Sequence, residues 1–288
     1  MDSVDPIEHS MIARVLRAAD WGEIGETALL RLRSRDGRNP QELAAMDLDL
    51  HLGDKVQKAK YVGTMFDIIA PGYDKFTRVF SFGMDKGWKA ALVAEAVKRA
   101  TEHPTILDLA CGTGDFGVEL ARRMSAHRAI GLDLSPQMLV EASKRVEHEH
   151  SILKLAACDM LSLCVNDNSV DVVSIGYGLR NTADVGLALR EIARVLKPGG
   201  ILVNLDFHRP VGSVWRELFL WYMEYAGQLA GWLWHREPKT YGYLSGSIRR
   251  YLTIPEFEKH LVQTGFTVEW RKSKLGGAIG LHVARRAA

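Results

Sequence analysis

Thr105-Ile-Leu-Asp-Leu-Ala-Cys-Gly-Thr-Gly-Asp-Phe-Gly117 is the stretch on which the fold turns. Thr105–Leu109 reads as a short buried strand, and the glycine-rich run after it leads directly into a helical pattern over Phe116–Arg123. The same unit then repeats. β runs at Ala129–Asp133, Leu153–Cys158, Val170–Ile175 and Gly200–Phe207 alternate with helices at Pro136–His148 and Val185–Leu196, the second stopped by Lys197-Pro-Gly-Gly200. Repeated β-α units predict an α/β fold with a doubly wound, mostly parallel sheet. Near the end, a helix over Pro255–Gln263 precedes two strands, Phe266–Arg271 and Ala278–Ala284, joined through Gly276-Gly277. They suit an antiparallel pair at the sheet edge and make the sheet seven-stranded. Upstream, helical spacing covers Ile7–Leu32, then the breaker-rich Ser34–Pro40, then helices over Lys55–Ile69 and Trp88–Arg99. The expected division is a helical N-terminal extension, residues 1–60, and a main domain, residues 61–288.

Open α/β sheets bind ligands beyond the carboxyl ends of their strands, which points to the loop Ala110–Gly117. As a bare pattern, Gly112-x-Gly114-x-x-Gly117 with Asp133 downstream fits a dinucleotide site. Charge argues the other way. A pyrophosphate needs a helix N-terminus free of acids, because a neighbouring carboxylate cancels the dipole's attraction of roughly 0.3–1 kcal/mol. This loop carries Asp108 and Asp115. S-adenosylmethionine instead presents an ammonium, a sulfonium and two ribose hydroxyls, which acids favour while the glycines admit close backbone approach. A nicotinamide dehydrogenase is the less favoured alternative. Asp133, ending the second strand, suits both ribose hydroxyls; its other use would be as a helix cap, a task that Ser135 before Pro136 already fits. Asp159 and Met160, after the third strand, suit the adenine amine and ring face, or an ordinary surface turn.

Composition narrows the field. Of 288 residues 37 are basic and 35 acidic, a net charge of +2 that leaves no footprint for a phosphate backbone, so nucleic acid is not an expected partner. Cys111, Cys158 and Cys164 form no Cys-x-x-Cys arrangement and fit a reducing, cytoplasmic setting. No cluster has metal-ligand spacing, and no run of about 18 uncharged apolar residues suggests a membrane span. Val214–Trp234 comes nearest, but Arg216, Glu217, Glu224 and Gln228 interrupt it. Its aromatic residues (Trp215, Phe219, Trp221, Tyr222, Tyr225, Trp232 and Trp234) suit a lid over a large apolar acceptor. A homo-oligomer interface or peripheral contact with a membrane surface would draw on the same composition.

Five segments carry a family resemblance: Met65-Phe-Asp-Ile-Ile-Ala-Pro-Gly-Tyr-Asp74, Ser81-Phe-Gly-Met-Asp-Lys-Gly-Trp88, Ile106–Asp115, Tyr177-Gly-Leu-Arg-Asn181 with Arg194-Val-Leu-Lys-Pro-Gly-Gly200, and Tyr241-Gly-Tyr-Leu-Ser-Gly-Ser-Ile248. From about Tyr61 onward the chain resembles the ubiquinone/menaquinone biosynthesis C-methyltransferases. The resemblance implies a class I, Rossmann-like methyltransferase fold, S-adenosylmethionine as cofactor, and C-methylation of a quinol-like or other aromatic, lipophilic small molecule. It places Tyr73 and Thr113 along the donor, Asp133 at the ribose, Asp159 and Met160 at the adenine, and Tyr177 where donor meets acceptor. Asp108, Gly112, Gly114, Leu134, Met138 and Gly176 complete the expected donor site.

Arg180 is the residue the resemblance implies for catalysis, with Tyr177 beside it. A guanidinium does not readily take a proton, so its work would be to stabilise phenolate character or to hold a water that accepts the proton. The structural alternative pairs it with a helix carboxylate such as Glu191. Some positions depart from the family pattern: Gly246 replaces a glutamate, Leu205-Asp-Phe-His208 replaces Leu-Glu-Phe-Ser, residues 1–60 have no counterpart, and Gly227–Lys239 is unusually aromatic. His208 and His235 are acid–base candidates, and His282 reads as structural. The acceptor therefore stays open between a quinol and, for a protein of the same descent, a specialised metabolite or phospholipid methylated at carbon, oxygen or nitrogen. A cyclase or lyase that binds the sulfonium without transferring methyl is the alternative from another class.

Overall fold

The computed structural model describes residues 55–235 and 242–288; the expected helices over Ile7–Leu32 and the side chains of Trp232, Trp234 and His235 lie outside what is described. Helices α1 (Lys55–Ile69), α2 (Tyr73–Phe80) and α3 (Met84–Val97) come first. There follow β1 (Thr105–Leu109), α4 (Asp115–Arg123), β2 (Arg128–Asp133), α5 (Pro136–His148), β3 (Leu153–Ala157), β4 (Val170–Gly176), α6 (Val185–Val195) and β5 (Leu196–Phe207). Helices α7 (Ser213–His235), α8 (Gly242–Arg250) and α9 (Ile254–Gln263) then lead to β6 (Phe266–Lys274) and β7 (Ile279–Arg286).

The seven strands run in the order β3-β2-β1-β4-β5-β7-β6. β1 pairs in parallel with both β2 and β4, so the winding reverses between β1 and β4, and a crevice opens beyond their carboxyl ends. β7 is antiparallel to β5 and to β6, so the late strand pair does occupy the edge, with β7 inserted inside β6. Both faces of the sheet are covered. Ile106, Val172, Val203 and Val283 pack with Leu92, Phe116, Leu120 and Leu139 on one side; Leu107, Val173 and Ile175 pack with Leu189, Ile192, Phe257 and Leu261 on the other. Double-sided burial explains why the strands read as continuous apolar runs.

A third cluster unites α1, α2, α7 and α8 through Tyr61, Met65, Ile69, Phe76, Phe219, Met223, Tyr243 and Ile248, together with Met138 of α5. Periodicity alone does not predict α2, which follows Pro71-Gly72, or α8, which contains Gly242 and Gly246. Burial of Phe76 in one and of Tyr243, Leu244 and Ile248 in the other outweighs the glycine penalty of about 1 kcal/mol each. β5 also starts earlier than its sequence suggests, carrying Lys197-Pro-Gly-Gly200 within the strand. Helix ends follow local chemistry: Ser135 Oγ accepts from the Met138 N–H, and Thr253 forms a capping box with Glu256. Among the described residues no helix is long and apolar enough to cross a membrane.

Candidate active site

Backbone strain marks the crevice. Ala110 after β1 and Tyr177 after β4 both hold positive φ, +48° and +61°, although neither is glycine. The two turns are in close contact, since a Cβ on Gly178 would lie 2.7 Å from that of Ala110. Two cavities meet here. The first, of about 120 Å³, is lined by Tyr73, Asp108, Gly112, Thr113, Asp133, Leu134, Met138, Asp159, Met160 and Gly176, and so gathers ten of the eleven expected donor-site residues.

The eleventh, Gly114, does not line it. Gly114 precedes α4 at φ +79°, a left-handed backbone that glycine takes freely, and a Cβ there would meet Ala142 of α5 only in ordinary contact at 3.4 Å.

Asp133 is held by backbone. Its Oδ2 accepts from the Gly112 N–H at 2.8 Å and its Oδ1 from the Ser135 N–H at 2.8 Å, which leaves acceptor capacity on both oxygens. Burial pushes its carboxyl up to about 6 against these donors. Burial likewise raises Asp108 to about 7, although Ser174 donates to its Oδ1 at 2.6 Å. Asp159 lines the cavity, and its Oδ1 accepts from the Leu161 N–H at 2.9 Å in a tight turn. Asp115, expected to add free negative charge, is instead paired with Lys89 of α3. Burial alone would raise the Asp115 carboxyl, but that ammonium holds it below the usual range. Four carboxylates and one cation, Lys89, therefore line this cavity.

Thr113 Oγ1 donates to Asp74 Oδ1 at 2.7 Å, Asp74 also pairs with Arg145, and the Arg145 Nε donates to the Thr113 carbonyl at 2.9 Å. This network clasps α2 onto the glycine loop and brings Tyr73 over it. Asp67 ties α1 to the start of α5, accepting from Ser135 Oγ at 2.6 Å.

The second cavity, of about 180 Å³, is overwhelmingly apolar, walled by Met65, Ile69, Phe76, Phe80, Trp88, Phe207, Trp215, Phe219, Tyr222, Met223, Tyr243 and Leu244. Phe66, Tyr73, Thr77 and Tyr177 line both cavities and form the wall between them. Arg180 faces the second cavity alone. Its Nη1 donates to Asp206 Oδ1 at 2.9 Å and to the Tyr177 carbonyl at 2.6 Å, and its guanidinium lies 5.1 Å from the Phe207 ring centre. The sequence alternative that paired Arg180 with Glu191 does not hold: Glu191 pairs with Arg194, and the buried Asp206 of β5 is the partner of Arg180. Arg180 Nε is buried with no protein acceptor. Asn181 links the layers, its Nδ2 donating to the Tyr177 carbonyl at 3.1 Å and its Oδ1 accepting from the Tyr243 hydroxyl at 3.2 Å.

His208 is not an acid–base candidate. It lies among Tyr251, Phe257 and His282, lines neither cavity, and burial lowers its pKa to about 4, so it is neutral. His282 is buried in β7, as expected of a structural residue. Lys89, Asp74 and Asp206 were missed at the sequence level. Asp74 and Asp206 both stand in quoted segments, beside Tyr73 and within Leu205-Asp-Phe-His208, whereas nothing local to Lys89 signals a role.

Comparison with known proteins gives a consistent result. The pattern of the ubiE/COQ5 methyltransferase family matches residues 54–286. A demethylmenaquinone methyltransferase of Deinococcus radiodurans is 35% identical over 225 residues, covering 78% of this chain and 92% of its own. One from Thermus thermophilus is 34% identical over 222 residues, 77% of this chain and all of its own. Among solved structures, a Haloferax volcanii chain solved with the Trm112 methyltransferase activator superposes with a TM-score of 0.56 at 21% identity, over 77% of this chain and 98% of that one. The [4+2]-cyclase SpnF does so at 0.51 and 18%, over 69% and 80%. These two likenesses concern the fold, a class I methyltransferase sheet. The family pattern and the sequence relatives go further, and by them the chain is a methyltransferase that belongs to the ubiE/COQ5 methyltransferase family.

Proposed function

We propose that this chain transfers a methyl group from S-adenosylmethionine to a ring carbon of a quinol-like, lipophilic acceptor. One observation carries the reading: an acidic cavity at the sheet's switch point and an aromatic-walled cavity share a single partition, Phe66, Tyr73, Thr77 and Tyr177. A cationic nucleoside fits the first and an apolar ring the second.

Asp133 takes the ribose hydroxyls, Asp159 and Met160 the adenine, and Leu134 and Met138 the apolar edge of the nucleoside. Gly112, Thr113 and Gly176 let backbone approach, and Asp108 balances the positive end of the donor. When bound, the donor supplies an electrophilic methyl on a sulfonium, so no metal is needed. Tyr73 and Tyr177 exclude water and set the line along which the ring carbon approaches. Among the described residues no carboxylate or histidine lines the aromatic cavity. Arg180 therefore works as a fixed cation: anchored by Asp206, with Nε unspent, it stabilises an ionised ring oxygen and so raises the nucleophilicity of the ring carbons. The ring proton then leaves to water.

The known relatives named as demethylmenaquinone methyltransferases support a demethylated quinol as acceptor. A lipophilic acceptor also accounts for the rim of the aromatic cavity, where Phe82, Met84, Trp215 and Leu275 are exposed, continuing into exposed Val214, Leu218 and Trp221 on α7. That rim supports peripheral contact with a membrane surface, on our reading from the cytoplasmic side; a homo-oligomer covering the same face is the competing reading. Residues 61–288 form the catalytic unit and residues 1–60 an extension to it.

Calorimetric titration tests the cofactor side. S-adenosylhomocysteine binds at one site and NAD does not; binding of NAD, or of neither, contradicts the reading.

A further inference from the structure

The turn that closes the adenine end of the donor cavity holds two thiols in contact. Cys158 follows β3, anchors there through its N–H to the Asp133 carbonyl at 3.1 Å, and lines the cavity beside Asp159 and Met160. Six residues on, Cys164 places its Sγ 2.9 Å from the Cys158 Sγ, and its backbone N–H points at the same sulfur from 3.4 Å. Both residues are partly exposed. We propose that Cys158 and Cys164 are a reversible, hydroperoxide-responsive dithiol site that controls binding of the methyl donor. This inference rests on the donor reading of the adjoining cavity.

The chemistry favours Cys158 as the attacking sulfur. The Cys164 thiol, with the Cys164 N–H behind it, draws the Cys158 thiol below its usual range against burial and against the carboxylates of Asp159 and Glu191. Cys111 is the internal contrast: it is buried, and burial with Asp133 and Asp108 nearby pushes its thiol well up, so it stays inert. In the first step the Cys158 thiolate attacks a peroxide oxygen; an S–O bond forms, the O–O bond breaks, and the departing hydroxide takes a proton from solvent. Cys158 is then a sulfenic acid. In the second, the Cys164 sulfur attacks that sulfur, an S–S bond forms, the S–O bond breaks, and the hydroxide leaves as water with the Cys164 proton. Two electrons pass from the sulfurs to the peroxide, and two waters are produced per hydrogen peroxide.

Closure has a structural consequence. A disulfide of about 2.05 Å draws the two sulfurs together from 2.9 Å, across a turn that carries both adenine-facing residues. That turn is already taut: the Ser162 N–H donates to the Asp159 carbonyl at 3.1 Å, and the Leu163 N–H to Glu191 Oε2 at 2.8 Å. Tightening it re-aims Asp159 and Met160. By linkage, a bound donor must then make the pair harder to oxidise, and it also shields Cys158.

The test uses the full chain, treated with hydrogen peroxide with and without saturating S-adenosylhomocysteine, then alkylated. The expected result is a protein about 2 Da lighter before alkylation that takes up two fewer alkyl groups than the reduced control after it, a disulfide joining positions 158 and 164, and slower linkage when the nucleoside is present. Calorimetry should show S-adenosylhomocysteine binding the linked protein roughly tenfold more weakly, the loss of about one good hydrogen bond, with recovery in dithiothreitol. Cys164→Ser should bind like reduced wild type and, after peroxide, trap dimedone at position 158 without forming the linkage. No linkage, or linked protein with unchanged affinity, overturns the proposal. If the reduced protein fails to bind S-adenosylhomocysteine, the donor reading fails instead, and the mass shift reads out the thiol pair separately.

Discussion

Asp133→Asn isolates the donor site with little else disturbed. The carboxylate accepts one backbone N–H on each oxygen, from Gly112 and Ser135, and keeps a further acceptor position on each for the ribose. Asparagine retains one acceptor oxygen; its amide must turn toward the other N–H. Both ribose hydroxyls lose a charged acceptor, at about 1.5 kcal/mol each, so the dissociation constant for S-adenosylhomocysteine should rise roughly 100-fold. The fold should not suffer to match. Burial already raises this carboxyl to about 6, so removing its charge relieves a desolvation cost that offsets the lost N–H bond, and stability should stay within about 1 kcal/mol. Titration calorimetry with donor-free thermal unfolding on the same preparations measures both. An affinity within threefold of wild type refutes the ribose assignment; a matching collapse in stability refutes the claim that the effect is local.

The pH dependence of donor binding follows from the same group. Asp133 is raised to about 6 in the free protein and must be ionised to serve the ribose, so affinity should fall as pH drops through 6, a limb that Asp133→Asn removes; Asp108, raised to about 7, adds a second limb near neutrality that this variant keeps. Arg180→Lys keeps the charge but loses the planar guanidinium, whose Nη1 holds both Asp206 and the Tyr177 carbonyl while Nε stays unspent; kcat should drop about 100-fold with donor affinity unchanged, as stopped-time assays and calorimetry would measure. Asp206→Ala strands that guanidinium in the interior and should cost about 3–5 kcal/mol in urea unfolding. Trp221→Asp should leave stability within about 0.5 kcal/mol, because the side chain is 61% exposed, yet reduce cosedimentation with phosphatidylglycerol-containing vesicles; unchanged partition removes the membrane-contact reading.

Most of the sheet was legible because β1, β2, β4 and β5 are largely buried on both faces, and α5 and α6 begin at side-chain caps, Ser135 before Pro136 and Asp184. Where the sequence misled, tertiary packing decided: α2 and α8 form despite glycine and proline because they cap the aromatic cavity, and β7 sits inside β6 although it comes later in the chain. The donor site was readable because its ligating residues cluster at strand ends within single motifs. Gly114 differs from the rest in not lining the cavity; its left-handed φ at the start of α4 looks the same in sequence as that of Gly112, which does. The acceptor side was harder. Arg180, in the turn after β4, finds its counter-ion in Asp206 of β5, 26 positions away, and on the donor side Lys89 likewise reaches Asp115 from α3; neither pairing has a local signature. The excess of acid in the loop, which pointed to a cationic nucleoside, survives in reduced form: Lys89 offsets Asp115, while Asp108, Asp133 and Asp159 remain.

The central claim is that two cavities meeting at Tyr73 and Tyr177 join a methyl donor to an apolar aromatic ring. It is tested most directly by incubating the protein anaerobically with S-adenosylmethionine bearing a trideuterated methyl and a short-chain demethylated naphthoquinol, then locating the label by mass spectrometry and NMR. The account predicts one trideuterated methyl on a ring carbon and one equivalent of S-adenosylhomocysteine. Label on oxygen, or an acceptor left unmodified while the donor stays bound, would contradict it.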